Sequence, residues 1–453
     1  MSSNATLDVT GPETGGDFGA SRSRRHLFGL CLVVFVASMI EDIANRLLTH
    51  LQIITKHPSD LNYALTWLRS LVTAREVDDS WEPMRAALGW FQQHTNGRIY
   101  EHIFFMDRIK FQYPPSSLLP LHALSLLGIT PSNAVLNRVN FWLVLANVLI
   151  AGALAFTLAR RSPGYAPRRW QFAIVSAFGA LLFCPLLKAF DLGQVQVWIN
   201  TLFALSALAW LSGRKQLAGV LIGLICLLKP QFVMFMAWGL LRREWRFLVG
   251  WGSVAAVGVV ASLAVFGVQN HLDYLAVLRA LSRTGEAFIE NQSFNGLLNR
   301  LYATDPNPAL WKPHDFPLFN PIVYAGTLLT SAVLIGAALL VPLRGKGASG
   351  LLDFLGAALS FTMASPIAWE HHYGILPVIY IAMMFVLLNR NASVGRSLGL
   401  ATLSVSYLIT GHWMGSSWML WGALALLGLI YWVNLAPRGM AGVGTGRRAL
   451  EST

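Results

Sequence analysis

Residues 135–159 read VLNRVNFWLVLANVLIAGALAFTLA, with Arg138 the one charged side chain among them. A hydrocarbon core of about 30 Å is crossed by about 20 apolar residues in an α-helix. This stretch is long enough and apolar enough to do so. It is not alone: similar segments lie near 171–189, 195–212, 216–241, 247–268, 321–343, 350–364, 373–389, 397–411 and 415–435, and a first one covers about 26–48. A chain with roughly a dozen such stretches belongs mostly in the bilayer. There every backbone N–H and C=O must be satisfied internally, which leaves helices or closed barrels. Barrel strands alternate apolar and polar residues, whereas these runs of Leu, Ala, Val and Gly do not. The fold class is therefore an all-α polytopic membrane protein.

Composition agrees. Of 453 residues, 55% are hydrophobic and 12% charged, about half the charged share of a soluble domain; the mean hydropathy is +0.51. The net charge of +12 and pI near 9.9 would suggest nucleic acid in a soluble protein. In a membrane protein they are the expected excess of Lys and Arg in cytoplasmic loops, and no nucleic-acid partner is expected. Cys31, Cys184 and Cys226 lie scattered in apolar runs and read as small core residues.

Three regions follow. Residues 1–25 are polar and Gly-rich, ending in Arg22, Arg24 and Arg25, and read as a disordered cytoplasmic N-terminus. Glu41-Asp42 follow the first apolar run where a cleavage site would need small residues, so it reads as an uncleaved helix. Residues 26–435 form the membrane domain, with long polar outer segments at 49–112 and 269–320, and 436–453 a cytoplasmic tail. Within the first outer segment, 83–95 has amphipathic spacing. Basic clusters occur at Arg160–Arg169, Arg214-Lys215, Arg242–Arg246, Arg344–Lys346, Arg390–Arg396 and in the tail. Full crossings by both 113–129 and 216–241 would give about twelve spans and put the first two clusters outside, against the charge rule. A partial helix at 113–129 and a break at Pro230, where proline disrupts the helix, would give about ten spans and put them inside. The sequence leaves both open.

Ionisable groups in lipid cost about 2.5–3.5 kcal/mol each, so the polar clusters need partners or water. Asp78-Asp79-Ser80-Trp81-Glu82 offers carboxylates to accept a hydroxyl proton. Lys188-Ala-Phe-Asp191-Leu-Gly-Gln194 combines a cation, an anion and an amide. Lys229-Pro230-Gln231 puts a lysine at a helix break, where it could meet an anion or snorkel to an interface. Ser365-Pro-Ile-Ala-Trp369-Glu370-His371-His372-Tyr373 lies at an outer helix end. Adjacent histidines point to different sides of a helix and the spacing is not that of a zinc site, so no metal is expected; imidazole N–H groups suit a phosphate. Asn291-Gln292-Ser293 adds donors and matches the weak glycosylation pattern, as do Asn4-Ala-Thr6 and Asn391-Ala-Ser393.

The order Asp79, Tyr100, Tyr113-Pro-Pro115, Gly193-Gln194, Lys229-Pro230, Asn291-Gln292-Ser293, Ser365-Pro-x-x-Trp369-x-His371-His372 resembles glycosyltransferase family 87, from about residue 26 to 390. The resemblance implies a GT-C-like bundle of about ten to twelve spans in the plasma (inner) membrane, with the active site on the non-cytoplasmic face. It implies transfer of a sugar, with mannose the family's donor sugar, from a polyprenyl-phosphate donor to an envelope glycolipid or glycan. It implies a first-loop carboxylate as base. Asp79 fits best, because Pro83–Ala87 occupies the stretch where the family has Tyr-Tyr-x-Ala-Ala; Asp78, Glu82 and Asp60 are rivals. It further implies His371, His372 and Lys229 at the donor phosphate and Tyr113, Asp191, Gln194, Asn291, Gln292, Trp369 and Glu370 around the substrates.

The chemistry is self-consistent. Glycosyl transfer passes through an oxocarbenium-like state. A phosphate monoester leaves readily, so donors around it suffice and one carboxylate serves as base. That predicts a single inverting displacement with no cofactor. The alternatives are a multi-pass transporter or flippase, for which the sequence shows no inverted repeat, and a lipid-polymer ligase with another donor.

Overall fold

The computed structural model describes residues 60–435, apart from 95, 130–131, 303–314, 344–347, 391–392 and 413–415, together with a few positions between 36 and 47. The N-terminus, most of the first apolar segment, Arg344, Lys346, the tail, Cys31, the side chain of Asp60 and the sequons at Asn4 and Asn391 lie outside the described residues. Within them the protein is all helical; an isolated bridge between Asn291 and Trp369 is the β pairing present. Four helices are long and apolar enough to cross a membrane: Asn133–Arg160, Trp245–Thr284, Pro321–Leu340 and Glu370–Leu388. The bent pair Ala166–Leu181 and Cys184–Asp191 makes a fifth, and Gln196–Leu211, Lys215–Leu228, Gly350–Met363 and Trp418–Asn434 are shorter apolar helices. The protein is a multi-pass membrane protein.

The basic loops gather at one end of the bundle, and side-chain bonds to orphan helix carbonyls show it. Arg161 donates to the Leu211 carbonyl (2.7 Å) and Tyr165 to that of Leu388 (3.3 Å). Asn389 reaches Ser162 Oγ (2.9 Å) and Arg390 the Val433 carbonyl (3.0 Å). Lys215 pairs with Glu244 (2.6 Å), and Arg242 with Asp353 (2.7 Å) and the carbonyls of Ala338 and Leu339. The opposite end holds the carboxylate-bearing turns, where Arg98 pairs with Asp273 (2.7 Å) and Lys110 with Glu286 (2.7 Å).

This arrangement resolves the choice that the sequence leaves open. We label Lys215–Leu228 α1 and Met234–Arg242 α2, joined by the 3-10 turn Pro230–Val233. Both α1 and α2 begin or end at the basic end, so the segment enters, turns at Lys229-Pro230 and returns. Pro230 has no N–H to continue α1, which forces the turn. Gly219 and Gly250 let α1 lie against Trp245–Thr284; a Cβ at Gly219 would sit 2.0 Å from the Phe247 carbonyl oxygen. Residues 111–128 also dip partway, as the 3-10 turn Pro115–Leu118 followed by Leu119–Leu126. Ser116 Oγ donates to the Leu227 carbonyl (2.7 Å) at the hairpin tip.

The polar outer segments are less loop-like than their composition suggests. The first carries helices Asp60–Arg69 and Trp81–Gln93 and the π-helical turn Tyr100–Met106. The Trp81–Gln93 helix matches the amphipathic stretch and buries Trp81, Met84, Ala87 and Leu88. The boundary placed at 268/269 is a kink, not a helix end: Gly267 has φ +74° inside Trp245–Thr284. Beyond it the helix continues because Asp273 has Arg98 and Asn270 accepts from the Ile99 N–H (2.8 Å).

In a cysteine-free background, Ser212→Cys and Arg243→Cys should be labelled by an impermeant maleimide from the same side of the membrane, and Gln93→Cys from the other. Labelling of positions 212 and 243 from opposite sides would mean that α1 and α2 form one crossing.

Candidate active site

The Asp79 turn is clamped to the turn that ends Cys184–Asp191. Asp79 N–H donates to the Leu192 carbonyl (3.1 Å) and Ser80 N–H to that of Gly193 (3.4 Å). Gly193 has φ +70°, and a Cβ there would lie 2.5 Å from the Val77 carbonyl oxygen. Two asparagines of Asn133–Arg160 hold the pair from below. Asn137 donates to the Val77 carbonyl (2.7 Å) and accepts from Trp81 Nε1 (3.2 Å). Asn140 donates to the Gln194 carbonyl (3.1 Å) and accepts from Trp198 Nε1 (2.9 Å).

This frame fixes Gln194. Its Oε1 accepts from Ser80 Oγ and Tyr113 Oη, so its Nε2 donates to the Asp79 carboxylate. Water reaches Asp79, yet burial by the surrounding protein raises its pKa above the carboxylate value. Both hold where water touches one side of the group and protein packs against the other. The Gln194 bond opposes the rise, Glu290 and Asp78 add to it and Lys188 lowers it. Tyr113 is pushed up chiefly by burial and stays a neutral phenol.

The rivals are placed otherwise. Asp78 accepts from Asn133 (2.9 Å) and lies 3.5 Å from Arg85. Glu82 is exposed in the first turn of its helix. Asp191, expected beside the substrates, pairs with Arg75 (2.8 Å).

Lys188 is buried between two carboxylates, Glu290 and Glu370, each at 2.6 Å. Glu370 is fully buried there, a correction to its expected place against substrate. Asn291 is corrected in the same way. It is fully buried, its Nδ2 donates to the carbonyls of Glu286 and Pro366, and its Oδ1 accepts from Ala368 N–H. Gln292 is also fully buried, its Nε2 on the Ile289 carbonyl (3.0 Å). The side chain of Asn291 and the backbone of Gln292 stitch the 286–293 turn to the 365–373 turn, where backbone groups cannot turn to bulk water. That burial also removes Asn291 as a glycosylation site in the folded protein. Trp369 stays partly exposed, edge-on to Phe288.

The two histidines were expected on different sides. In the 3-10 segment Glu370–Ile375 their rings instead meet edge to face, with centroids 4.9 Å apart. His372 Nδ1 accepts from the Trp369 N–H (3.2 Å), so the neutral ring carries its proton on Nε2. His371 Nδ1 is buried without a hydrogen-bond partner among the described residues. Lys229, at the hairpin tip, donates to Gln196 Oε1 and lies within electrostatic reach of both rings. Lys188 acts in turn on His371 and on Asp79. Contacts join these parts: the Asp79 turn to Leu192, Lys188 to Glu370 beside the histidines, and Lys229 through Gln196 to Asn200, which lies against Gly374.

The chain matches glycosyltransferase family 87 over residues 111–366, more than half its length. It belongs to glycosyltransferase family 87. A relative from Mycolicibacterium smegmatis is 25% identical over 367 residues, covering 77% of this chain and 79% of that protein. That relative is described as a polyprenol-phosphate-mannose-dependent alpha-(1-2)-phosphatidylinositol mannoside mannosyltransferase. No solved structure matches the chain. The protein is therefore a membrane glycosyltransferase, a hexosyltransferase by class, and family membership favours transfer over the transport alternative.

Sequence reasoning did not single out Gln196, Glu290, Arg75, Asn137 or Asn140 in this family 87 site. A signal was present for the asparagines: polar amides three residues apart within an apolar span lie on one helix face. Gly193→Ala should lower Tm and abolish transfer, because φ > 0 costs an L-residue about 1–2 kcal/mol and the new methyl meets the Val77 backbone. An unchanged Tm would show that the two turns are not clamped as described.

Proposed function

We propose that this enzyme moves a mannosyl unit from a polyprenyl-phosphate donor to an envelope glycolipid or glycan by one inverting displacement. The observation that carries the reading is the meeting of a water-reached carboxylate, Asp79, with the turn after Lys188, whose ammonium holds Glu370 next to the His371–His372 pair, and with Lys229 on Gln196 of the following helix. The relative's dependence on polyprenol-phosphate-mannose supports the donor, and its phosphatidylinositol mannoside acceptor supports a glycolipid over other acceptors. The basic end of the bundle matches the cytoplasmic side under the charge rule, which supports a site on the non-cytoplasmic face of the plasma (inner) membrane.

In the proposed step an acceptor hydroxyl attacks the sugar's anomeric carbon from the Asp79 side. Asp79 takes the hydroxyl proton as the new C–O bond forms. The bond from the anomeric carbon to the phosphate oxygen breaks, and its electron pair leaves with the phosphate. Lys229 and the Nε2–H of His372 meet the growing negative charge, as preorganised donors do best in a site shielded from water. His371 offers a further ring nitrogen to the same group. Gln194, itself held by Tyr113, fixes Asp79 in place, and the partly exposed Trp369 lies beside the sugar in this reading. No cofactor enters the step; the lipid-linked sugar is itself the donor.

Asp79→Asn should lower kcat by about 10²–10⁴, the usual contribution of a general base, in protein that still folds and consumes polyprenyl-phosphate-mannose but no nucleotide sugar when wild type. Full activity in the variant refutes the base; use of a nucleotide sugar refutes the donor.

Asp79 acts only when deprotonated. Because burial raises its pKa, transfer should hold at higher pH and fall, as pH drops, at values above the ordinary carboxylate range. Gln194→Leu removes a bond that favours the carboxylate, so the acid limb of the kcat profile should move further up. A limb that stays fixed or moves down contradicts the arrangement.

A further inference from the structure

Glu290 was not among the residues that the sequence offered, and the transfer step leaves it without a task. Its position is unusual. Its main-chain carbonyl accepts from the Glu370 N–H (3.1 Å), and one carboxylate oxygen is bound by Lys188 at 2.6 Å. The carboxylate is thus held rigidly, yet its side chain keeps 21% of its surface, unlike Glu370 on the same lysine, which keeps none. Lys188 lies one helical turn before Leu192, whose carbonyl accepts from the Asp79 N–H, so the carboxylate that Lys188 holds sits beside the Asp79 turn. Trp369, two residues' breadth away across the bridge between the turns, is partly exposed with its ring edge-on to Phe288.

A fixed carboxylate with free acceptor sites beside an indole is what a sugar ring asks for. Its hydroxyls donate to the charged oxygens, and such bonds are stronger than neutral ones. Its C–H face packs on an aromatic plane. Lys188 cannot serve in this way, being buried with both neighbours already on it.

We propose that Glu290 is a specificity-determining residue that accepts hydrogen bonds from the hydroxyls of the transferred sugar, with Trp369 covering the ring's apolar face. The inference rests on the transfer reaction proposed above. A role confined to balancing the Lys188 charge would slow every donor alike. A recognition role makes the effect depend on which hydroxyl is present, because a site built to bind a hydroxyl rejects the analogue that lacks it.

The test uses the full-length protein in lipid nanodiscs. It measures kcat/KM for polyprenyl-phosphate-mannose and its monodeoxy analogues with wild type, Glu290→Gln and Glu290→Asp. Wild type should lose about 10- to 100-fold on at least one deoxy donor, as expected for a hydrogen bond to a charged group. Glu290→Gln and Glu290→Asp should lose a similar factor on the parent donor and be nearly indifferent to that hydroxyl. If the variants discriminate as wild type does, the inference is overturned while the transfer reading stands. Should neither variant fold, the wild-type series decides: sensitivity to a hydroxyl supports the subsite, and a flat series overturns it. If wild type does not turn over the parent donor at all, the transfer reading itself fails and the inference with it.

Discussion

An ammonium group inside a membrane protein cannot be left alone. Lys188 is 2% exposed, and its charge is met by Glu290 and Glu370 at 2.6 Å each. Removing one partner from a buried pair costs about 3–5 kcal/mol, so the three side chains fix one another's positions. They come from three parts of the chain: the end of Cys184–Asp191, the turn before Phe294–Tyr302, and the 3-10 segment Glu370–Ile375. This contact ties the turn carrying Glu290 to the one carrying Trp369–His372, and Lys188 sits one helical turn before the Leu192 carbonyl that accepts from Asp79.

Around this centre the two walls of the site are built by different means. The Asp79 wall is held by hydrogen bonds from asparagines of a spanning helix and by the close approach that Gly193 permits. The other wall is held by a broken helix. Pro230 ends α1, and Lys229 is left at the tip with Gln196 as its partner. The break shortens the segment to a hairpin and leaves that lysine beside the Gln196–Asn200 pair.

Much of the fold was legible without coordinates. Long apolar runs in a lipid medium admit little besides helices, and Pro230 marked a break that the structure contains. The basic clusters pointed to the hairpin arrangement, though segment length argued against it, and contacts such as Arg161 with Leu211 and Lys215 with Glu244 settle the matter. The site was legible as a set of clusters and not as roles. Asp79, Gln194, Tyr113, Lys229 and the histidines share one neighbourhood. Asn291, Gln292 and Glu370 had the right chemistry but are buried, Asn291 and Gln292 bonded to backbone groups and Glu370 to Lys188. Composition cannot tell a polar group kept for a ligand from one kept to satisfy its own chain.

The sequence by itself determined that this is a helical membrane protein, and through an ordered set of short motifs it pointed to a sugar-transferring family. Those conclusions depend on local quantities: the length of an apolar run, the place of a proline, the residue types in a turn. Only the tertiary structure decided which carboxylate is held by Gln194, which is buried on a lysine, and which glutamate keeps part of its surface open on that same lysine. Such choices depend on contacts between residues about a hundred or more positions apart, such as Lys188 with Glu290 and Glu370 or Asp79 with Gln194. Each side chain's environment there is set by what the rest of the chain brings to it, and no local pattern encodes that.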